Sequence, residues 1–524
     1  MTEVVSSATV AEGESSATTS EVYAVFGAEP EVQAYAMAKY SRSALSMKDS
    51  LREISRQKAE KFLNTFYFQY GHRSIADLAH IALAIERLSI LAAIVIADEQ
   101  RWDGQERSTR YQDFRKSGYY TPDFSGHRPG EELYRQTIED LFRAYESLSE
   151  KIFQHLAAIT PRPGEMKPEA YERTLRARAF DVSRYLLPLG TNTSLGEIVS
   201  ARTLESQVSH LVSHTHGEVR RLGELLKQAA ASAAYNVNRE SSARLIEEIR
   251  ELSPELAARA ESELMQEVRV APTLVKYAQP NPYEIETRRE LRQMAAELMR
   301  GEPPEPVPAV ELVDPGAFEV ELATTLVYEH CSYPYRQIRR VIEALSASRR
   351  QEILDAGLRH RGRHDEMLRG FRAGHQFCFD ILMDIGGFRD MHRHRRCIQI
   401  EQRFTTQHGY EVPAELEPAG ALEDFRSAIE LAGDRVCTLA RSPVPEALEN
   451  SEYAIALGYR KRTLFKMDFA EAVYIAELRT TPAGHFSYRR IAYGMYEEVR
   501  KRHPSLAPYF RVHDIARPVD LLQR

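Results

Sequence analysis

Cysteine is scarce in this chain of 524 residues, and it does not form the patterns of disulfides or zinc sites. All four cysteines lie in the second half of the chain, and no two of them form a Cys-x-x-Cys pair. This distribution argues against a disulfide framework and against a zinc ribbon. A reducing cytoplasm is therefore the expected compartment, and we expect no metal site.

Long hydrophobic runs and an excess of positive charge are also missing. No apolar run approaches the roughly 20 residues that span a bilayer, and the formal net charge is −7. We therefore expect neither a membrane nor a nucleic acid as a partner. Residues 1–20 are rich in serine and threonine and lack the basic start of a signal peptide. This composition predicts a disordered tail.

Helical periodicity dominates the rest of the chain, and strands are expected to be short. The predicted helices cover residues 75–96, 131–157, 202–234, 240–269 and 283–300. Candidate strands are EVYAVFGAE (21–29) and FEVELATTLVYE (318–329). Residues 301–316 are rich in proline. Because proline fixes φ and removes a hydrogen-bond donor, this segment is predicted to be an extended linker.

The sequence on either side of the linker repeats three landmarks in the same order. GHRS (71–74) matches GRHD (362–365), QERSTRY (105–111) matches QIEQRF (399–404), and HGEVRRLGELL (216–226) matches FSYRRIAYGMY (486–496). Three matches in one order predict a divergent tandem duplication. The expected organisation is a first domain at 21–235, a helical insertion with the linker at 236–312, and a second domain at 313–524.

A cluster of positive charge lies in the second copy. Residues 391–404 read MHRHRRCIQIEQRF, and residues 392–396 are all basic or titratable. Arginine binds phosphate through two parallel hydrogen bonds, so the segment indicates a local site for a phosphate-bearing ligand. The alternative is a solvated basic helix face, paired with the nearby acidic residues. Single-stranded nucleic acid would need aromatic residues interleaved with the cluster, and only Phe388 and Phe404 flank it.

These landmarks resemble those of flavin-dependent thymidylate synthases. That family carries a GHxS-type segment, an RHR signature, a Ser-x-Arg-Tyr loop and a late helix with an arginine. The first copy keeps Ser108-Thr109-Arg110-Tyr111 but has Asp98-Glu99-Gln100 in place of RHR. The second copy keeps Arg393-His394-Arg395 and Arg403-Phe404. It has Glu401 where the serine would stand, after a shorter loop.

The resemblance implies a role for each of these residues. In the family, the RHR side chains hold FAD, the Ser-x-Arg loop holds the phosphate of dUMP, and the late arginine polarises the base. Carried over, FAD would be bound by Arg393, His394, Arg395, His72 and Ser74, and dUMP by Ser108, Arg110, Arg202 and Arg403. Arg220 or Arg489 would be catalytic, with methylenetetrahydrofolate and NADPH as co-substrates. His72 and Ser74 have a second interpretation, because Ser74 could cap the predicted helix at 75–96.

Two incomplete signatures in one chain suggest composite sites built from both copies. The second copy would supply the flavin cradle and the first copy the nucleotide loop, because Glu401 would repel a phosphate in the second. The implied fold is α+β, with helices on a mixed sheet in each of two tandem domains, and the family homotetramer would become a homodimer. The alternative is a degenerate, non-catalytic paralogue that keeps the fold as a flavin- or nucleotide-binding or regulatory module.

Overall fold

The computed structural model describes residues 27–39, 51, 73–314, 316–362 and 365–522 of the chain. Within them the structure is mainly helical, with two small antiparallel sheets. The predicted α+β class is confirmed, although the strand pairs of the described residues are antiparallel where mixed sheets were expected. No helix of the described residues has the length and apolarity of a bilayer span.

The first half of the chain contains a three-stranded sheet and the helices around it. Its strands are β1 (His80–Ser89), β2 (Asp103–Glu106) and β3 (Asn192–Ser200). Its helices are α1 (Pro30–Lys39), α2 (Ile90–Ala97), α3 (Arg128–Ile159), α4 (Pro168–Ser183), α5 (Ala201–Val212) and α6 (Gly217–Ala231). Three helices then connect the halves: α7 (Arg239–Leu252), α8 (Pro254–Leu264) and α9 (Pro282–Leu298).

The second half contains a four-stranded sheet. Its strands are β4 (Val310–Leu312), β5 (Phe377–Asp384), β6 (Ile398–Glu401) and β7 (Arg460–Met467). Its helices are α10 (Phe318–Tyr328), α11 (Tyr335–Ala344), α12 (Ala347–Leu358), α13 (Ile385–Met391), α14 (Leu422–Leu439), α15 (Ala447–Glu452), α16 (Phe469–Arg479) and α17 (Phe486–Arg502). The order β5-β7-β6 repeats the order β1-β3-β2 of the first half, and β4 is added at one edge.

Two segments differ from the sequence prediction. The helix predicted at 75–96 is wrong for β1, where burial alternates and Ile81 and Ile85 face the core. An alanine- and leucine-rich composition concealed that two-residue period. The strand predicted at 318–329 is also wrong, because α10 occupies it and is buried on most sides, which removes the helical period. Most of the strand predicted at 21–29 lies outside the described residues.

The other predicted helices are confirmed, with breaks that the periodicity does not reveal. The helix predicted at 202–234 is divided into α5 and α6, and the one at 240–269 into α7 and α8. Of the connecting helices, α9 packs on the second half, since Leu291, Ala295 and Met299 share a core with α10 and α11. The described residues of the proline-rich segment contain no helix, and they include β4, whose Val310 pairs with Ile381 of β5.

The two halves meet along an antiparallel seam, formed by residues 185–191 and 453–459. Pro188 and Ala456 lie opposite each other in an isolated bridge. The seam bonds run from Leu189 N to Ile455 O (2.8 Å), Leu457 N to Leu187 O (2.9 Å), Gly190 N to Tyr453 O (2.6 Å) and Gly458 N to Tyr185 O (2.8 Å). Each bond has a counterpart in the opposite direction, so a pseudo-twofold axis passes between Pro188 and Ala456.

A pair of buried carboxylates follows the same symmetry. Ser89 caps α2 and donates through Oγ to Glu218 Oε2 of α6 at 2.5 Å. Asp384 caps α13, and Ser487 of α17 donates to it. Burial raises the pKa of both Glu218 and Asp384, against the hydrogen bonds that they accept. In both halves a hydroxyl–carboxylate hydrogen bond joins the end of a strand to the equivalent helix. The first half has the hydroxyl at the strand end and the carboxylate on the helix, and the second half has the reverse.

Candidate functional site

The sheet register gives the correspondence between the two nucleotide loops. In the first half Glu106 of β2 lies opposite Leu195, and in the second half Glu401 of β6 lies opposite Thr463 at the equivalent position of the central strand. Glu401 is therefore the counterpart of Glu106, and Arg403 is the counterpart of Ser108. The interpretation that Glu401 replaces the serine after a shorter loop is wrong, so Glu401 is no reason to exclude a phosphate there.

The pseudo-twofold arrangement produces two places where signature positions of opposite halves approach each other. In the first, the RHR segment of the second half approaches Arg110 of the first half through Arg479 and Tyr488, and we call this place the arginine cluster. In the second, the Asp98-Glu99-Gln100 segment and Arg403 line one cavity with a volume of about 630 Å³. We call that place the cavity.

In the arginine cluster, a chain of contacts joins His394 to Arg110. Arg479 Nε donates to His394 Nε2 at 2.8 Å, and the Arg479 guanidinium lies 5.4 Å from the centre of the Tyr488 ring. The Tyr488 hydroxyl accepts from Arg110 Nη1 at 3.0 Å. Arg110 is itself paired with Asp181, at 2.8 Å between Nε and Oδ1. Side chains from both halves therefore form one buried network.

The arginine cluster carries more positive than negative charge around a buried carboxylate. Burial opposes ionisation of Asp390, but the charges of Arg184, Arg110, Arg393 and Arg479 outweigh it and keep its pKa below the ordinary value. Arg184 is 2% exposed, and its Nε and Nη2 atoms donate to no described residue. Arg184 Nη1 lies 3.5 Å from Asp390 Oδ2, which is itself a buried acceptor without a hydrogen bond. Buried donors without acceptors are costly, so the Nε and Nη2 atoms of Arg184 are the hydrogen-bonding capacity that this pair leaves unused.

His394 accepts a hydrogen bond in this cluster and is held in its neutral form. Burial lowers its pKa, although Nδ1 lies 3.3 Å from Glu471 Oε1. Its neighbour Arg393 is exposed, and its neighbour Arg395 is partly exposed. Arg395 Nη2 lies 2.9 Å from Asp103 Oδ1. The Arg395 guanidinium also lies 5.3 Å from the centre of the Trp102 ring.

The remaining predicted residues near this cluster have backbone contacts. Ser108 Oγ accepts from Arg110 N at 3.2 Å. Arg489 donates from Nε to Thr480 O at 3.1 Å, and burial lowers its pKa. Ser74 belongs to the short 3-10 helix Arg73–Leu78, and His72 lies outside the described residues.

The cavity receives Arg202 and Arg403 of the predicted residues, with Arg220 beside it. Arg202 Nη1 lies 2.9 Å from Asp77 Oδ2, Arg403 Nη2 lies 2.7 Å from Glu452 Oε1, and Arg220 Nη2 lies 2.6 Å from Glu446 Oε1. His216 Nε2 is 3.0 Å from the other oxygen of Glu452. Burial opposes ionisation of Glu452, but His216 and Arg403 outweigh it and lower its pKa.

Sequence reasoning did not identify a group of potential ligands at the edge of the cavity. Asp98, His392 and Glu401 each offer one potential metal-ligand atom, and these atoms lie within 4.8 Å of one another. Arg369 Nη1 lies 2.6 Å from Asp98 Oδ1, however, and Lys461 Nζ lies 3.1 Å from Glu401 Oε2. These cations already balance both carboxylates, so the group is an ion-pair network between the halves. His392 and Glu401 belong to the basic segment of the second half, but Asp98 lies almost 300 residues earlier in the chain, which is why no local motif indicates the group.

Comparison with known proteins shows which family the chain resembles. A family model described as thymidylate synthase complementing protein matches residues 24–234 and, again, 320–505. A UPF0159 protein of Chlamydia pneumoniae is 27% identical over 95% of this chain and 92% of its own length. The UPF0159 protein Ta1429 of Thermoplasma acidophilum is 25% identical over 91% of this chain and 94% of its own.

Two proteins with a named activity each match about two fifths of the chain. A flavin-dependent thymidylate synthase of Clostridium tetani is 22% identical over 40% of this chain and 80% of its own length. A crystal structure of the Helicobacter pylori enzyme ThyX with FAD and dUMP covers 38% of this chain and 89% of its own, at 15% identity and a TM-score of 0.24. A score of that size supports no structural argument. The two regions that match the family model make up more than half of the chain, which therefore belongs to the thymidylate synthase complementing protein family.

Proposed function

We propose that this chain methylates dUMP to dTMP with bound FAD, at a composite site in the arginine cluster. Methylenetetrahydrofolate would donate the carbon and NADPH would reduce the flavin. The observation that carries the proposal is the contact chain from His394 through Arg479 and Tyr488 to Arg110. It joins the RHR segment kept by one half to the loop kept by the other. The name of the Clostridium tetani relative supports the same activity.

The residues of the arginine cluster fit the pyrophosphate of FAD. Arg393 is exposed and Arg395 is partly exposed, while Arg184 has unused buried donors. Planar guanidinium groups suit a phosphate dianion better than ammonium groups do, because they donate two parallel hydrogen bonds. Bound and reduced, FAD would supply the hydride that completes the methyl group.

dUMP would lie at the loop of the first half. Ser108 and Arg110 would meet its phosphate, for which Arg110 would have to exchange part of its pairing with Asp181. A cationic side chain at the uracil oxygens would stabilise negative charge that grows during the reaction. Of the two candidates, Arg489 follows Tyr488 directly and belongs to this cluster, whereas Arg220 lies beside the cavity. We therefore assign the catalytic role to Arg489.

A specific observation favours a second function, that of a non-catalytic paralogue which binds flavin or nucleotide. Arg110, Arg202 and Arg403 are all predicted phosphate ligands, and each is paired with a carboxylate of the chain. Internal carboxylates would then have replaced the substrate phosphate. Under this proposal the fold and the flavin cradle remain, and turnover is lost.

The absorption spectrum of the purified protein tests the flavin cradle. We expect the protein to retain FAD after addition and desalting, and the double variant Arg393→Ala/Arg395→Ala to bind FAD at least about 100-fold more weakly. Each hydrogen bond to a charged group contributes about 1.5–3 kcal/mol, and two are removed. Arg500→Ala/Lys501→Ala is the matched control, because it removes two exposed cations from α17.

Three outcomes separate the two functions. Retained FAD together with dUMP-dependent oxidation of NADPH supports the synthase. Retained FAD without turnover supports the non-catalytic paralogue. A wild-type protein that takes up no FAD would overturn the flavin cradle and, with it, the synthase.

The assembly expected from the sequence also remains a proposal. A chain with two family units would reproduce the family tetramer as a homodimer, and light scattering coupled to size-exclusion chromatography would measure its mass. The division into domains at 21–235, 236–312 and 313–524 would be tested by limited proteolysis between α6 and β4.

A further inference from the structure

Residues 506–522 continue beyond the second family-matched region, which ends at residue 505, and we call them the C-terminal strap. The strap begins on the second half, where Phe510 is buried against α16 and α17. It ends on the first half, where Arg178 of α4 donates from Nε to Leu521 O at 3.3 Å. The strap therefore ties the two halves together outside the seam.

Between its two ends, the strap is fastened to the end of α16. His513 N donates to Thr480 Oγ1 at 3.0 Å, and Arg511 N donates to Glu477 Oε1 at 2.9 Å. Thr480 is fully buried, and its hydroxyl donates in turn to Ala476 O at 2.8 Å. One hydroxyl can donate and accept at the same time, so this hydroxyl joins the last turn of α16 to the strap. Thr480 is therefore the buried anchor of the strap.

The first half has the same device at the equivalent position. Ser213 is the C-cap of α5, as Thr480 is the C-cap of α16. Ser213 Oγ donates to Ser209 O at 2.6 Å and accepts from Asn281 N at 2.7 Å. Asn281 also lies outside the family-matched regions, the first of which ends at residue 234 and the second of which begins at residue 320. In both halves, therefore, a hydroxyl at a helix C-cap fastens a segment that follows the family unit.

The turn between α16 and α17 connects the strap to the arginine cluster. Arg479, a member of the contact chain, directly precedes Thr480 in the sequence. The backbone carbonyl of Thr480 accepts from Arg489 Nε at 3.1 Å. Within the turn, Ala483 O accepts from Arg110 Nη2 at 3.3 Å. A displacement of this turn would therefore move both Arg479 and Arg489 relative to the first half.

We propose that the C-terminal strap, through its anchor Thr480, positions Arg479 and Arg489 in the arginine cluster. The catalytic consequence rests on the proposed function, to which the proposal adds a positioning residue and a positioning segment. Without the Thr480 hydroxyl, the backbone N–H of His513 would lose its acceptor, which is costly for a partly buried donor. The strap would loosen, and the turn would lose the contact that fixes it from the side of the second half.

Thr480→Val tests the positioning in the full-length protein, because valine keeps nearly the same shape and removes the hydroxyl. We expect kcat for dUMP-dependent oxidation of NADPH to fall about 10- to 100-fold, since a misplacement of about 1 Å has an effect of that size. FAD should still be retained, because the arginines assigned to its pyrophosphate lie on other segments. Amide hydrogen exchange across residues 480–489 and 511–522, followed by mass spectrometry, should be about 10-fold faster. Thr480→Ser keeps the hydroxyl and should restore both kcat and the exchange rate.

His513→Pro removes the same hydrogen bond from the side of the strap. The position is exposed, and proline lacks the N–H that Thr480 accepts. This variant therefore tests the strap even if thermal melting shows that Thr480→Val does not fold. It should lower kcat and accelerate the exchange of residues 480–489 by factors similar to those of Thr480→Val.

Ser213→Ala is the matched control, because it removes the equivalent hydroxyl from the first half and should leave kcat and the exchange of the strap unchanged. The proposal is overturned if His513→Pro turns over as fast as the wild type, or if Ser213→Ala slows turnover equally. If the wild type has no turnover, the synthase proposal fails, and the exchange of residues 480–489 decides the positioning by itself. Faster exchange in His513→Pro but not in Ser213→Ala supports it, and unchanged exchange in His513→Pro overturns it.

Discussion

Replacing Leu457 with proline is expected to lower the free energy of unfolding by about 3 kcal/mol or more, whereas proline at the adjacent Ala456 should be nearly neutral. Leu457 donates its backbone N–H to Leu187 O at 2.9 Å in the seam. Proline removes that donor and leaves a buried carbonyl without its partner. Ala456 is the counterpart of Pro188 across the pseudo-twofold axis, so a proline backbone already occurs at the equivalent position.

Denaturant unfolding followed by circular dichroism would measure both variants. Leu457→Ala is a necessary third variant, because Leu457 is fully buried and the loss of its side chain is costly by itself. The backbone contribution is the difference between Leu457→Pro and Leu457→Ala. If Ala456→Pro is as destabilising as Leu457→Pro, the two sides of the seam are not equivalent and the pseudo-twofold axis is wrong.

The seam explains why the sequence predicted two similar halves but not how they are arranged. Matching landmarks such as 105–111 and 399–404 can be read directly from the chain, and so can the amphipathic helices. The register of β6 on β7 depends on hydrogen bonds between segments about 60 residues apart, which no local pattern encodes. The landmark match is therefore offset by two residues from the sheet register, in which Glu401 lies opposite Thr463.

The sequence predicted the cationic side chains of the candidate site but not the carboxylates that pair with them. Arginines in recognisable motifs, such as Arg110 and Arg403, could be selected from the sequence alone. Their carboxylates, Asp181 and Glu452, belong to α4 and α15 and carry no motif. Long-range ion pairs form only when the fold brings helices together, so pairing could not be anticipated.

The histidines at the equivalent N-cap positions of α6 and α17 have different hydrogen-bond partners. His216 stands at the N-cap position of α6 without a capping hydrogen bond from its side chain, whereas the side chain of His485 caps α17. His216 Nε2 meets the carboxylate of Glu452 at 3.0 Å, while His485 Nε2 donates to the backbone carbonyl of Asp181 at 2.9 Å. His485 Nδ1 accepts from Ser487 N at 3.2 Å. With one nitrogen donating and the other accepting, the His485 site is built for a neutral ring.

Acidification is therefore expected to destabilise the protein through His485. Burial lowers the pKa of His485 to about 3, and the charges of Arg184 and Arg110 act in the same direction against Asp181. The unfolded chain, with an ordinary value near 6.5, binds more protons between about pH 6.5 and pH 3. The stabilisation is complete above pH 6.5 and is lost as the pH falls through this window. One proton contributes up to about 5 kcal/mol over the whole window.

His485→Asn isolates this proton, because asparagine also caps helices but does not titrate. Between pH 7 and pH 4, the free energy of unfolding of the wild type should fall by about 3 kcal/mol more than that of the variant. His513→Asn removes an exposed histidine and is the control. Parallel curves for wild type and His485→Asn would contradict the prediction. They would mean that the folded protein accepts a proton at His485, which requires Ser487 N–H to lose its acceptor and the start of α17 to rearrange beside Arg110 and Asp181.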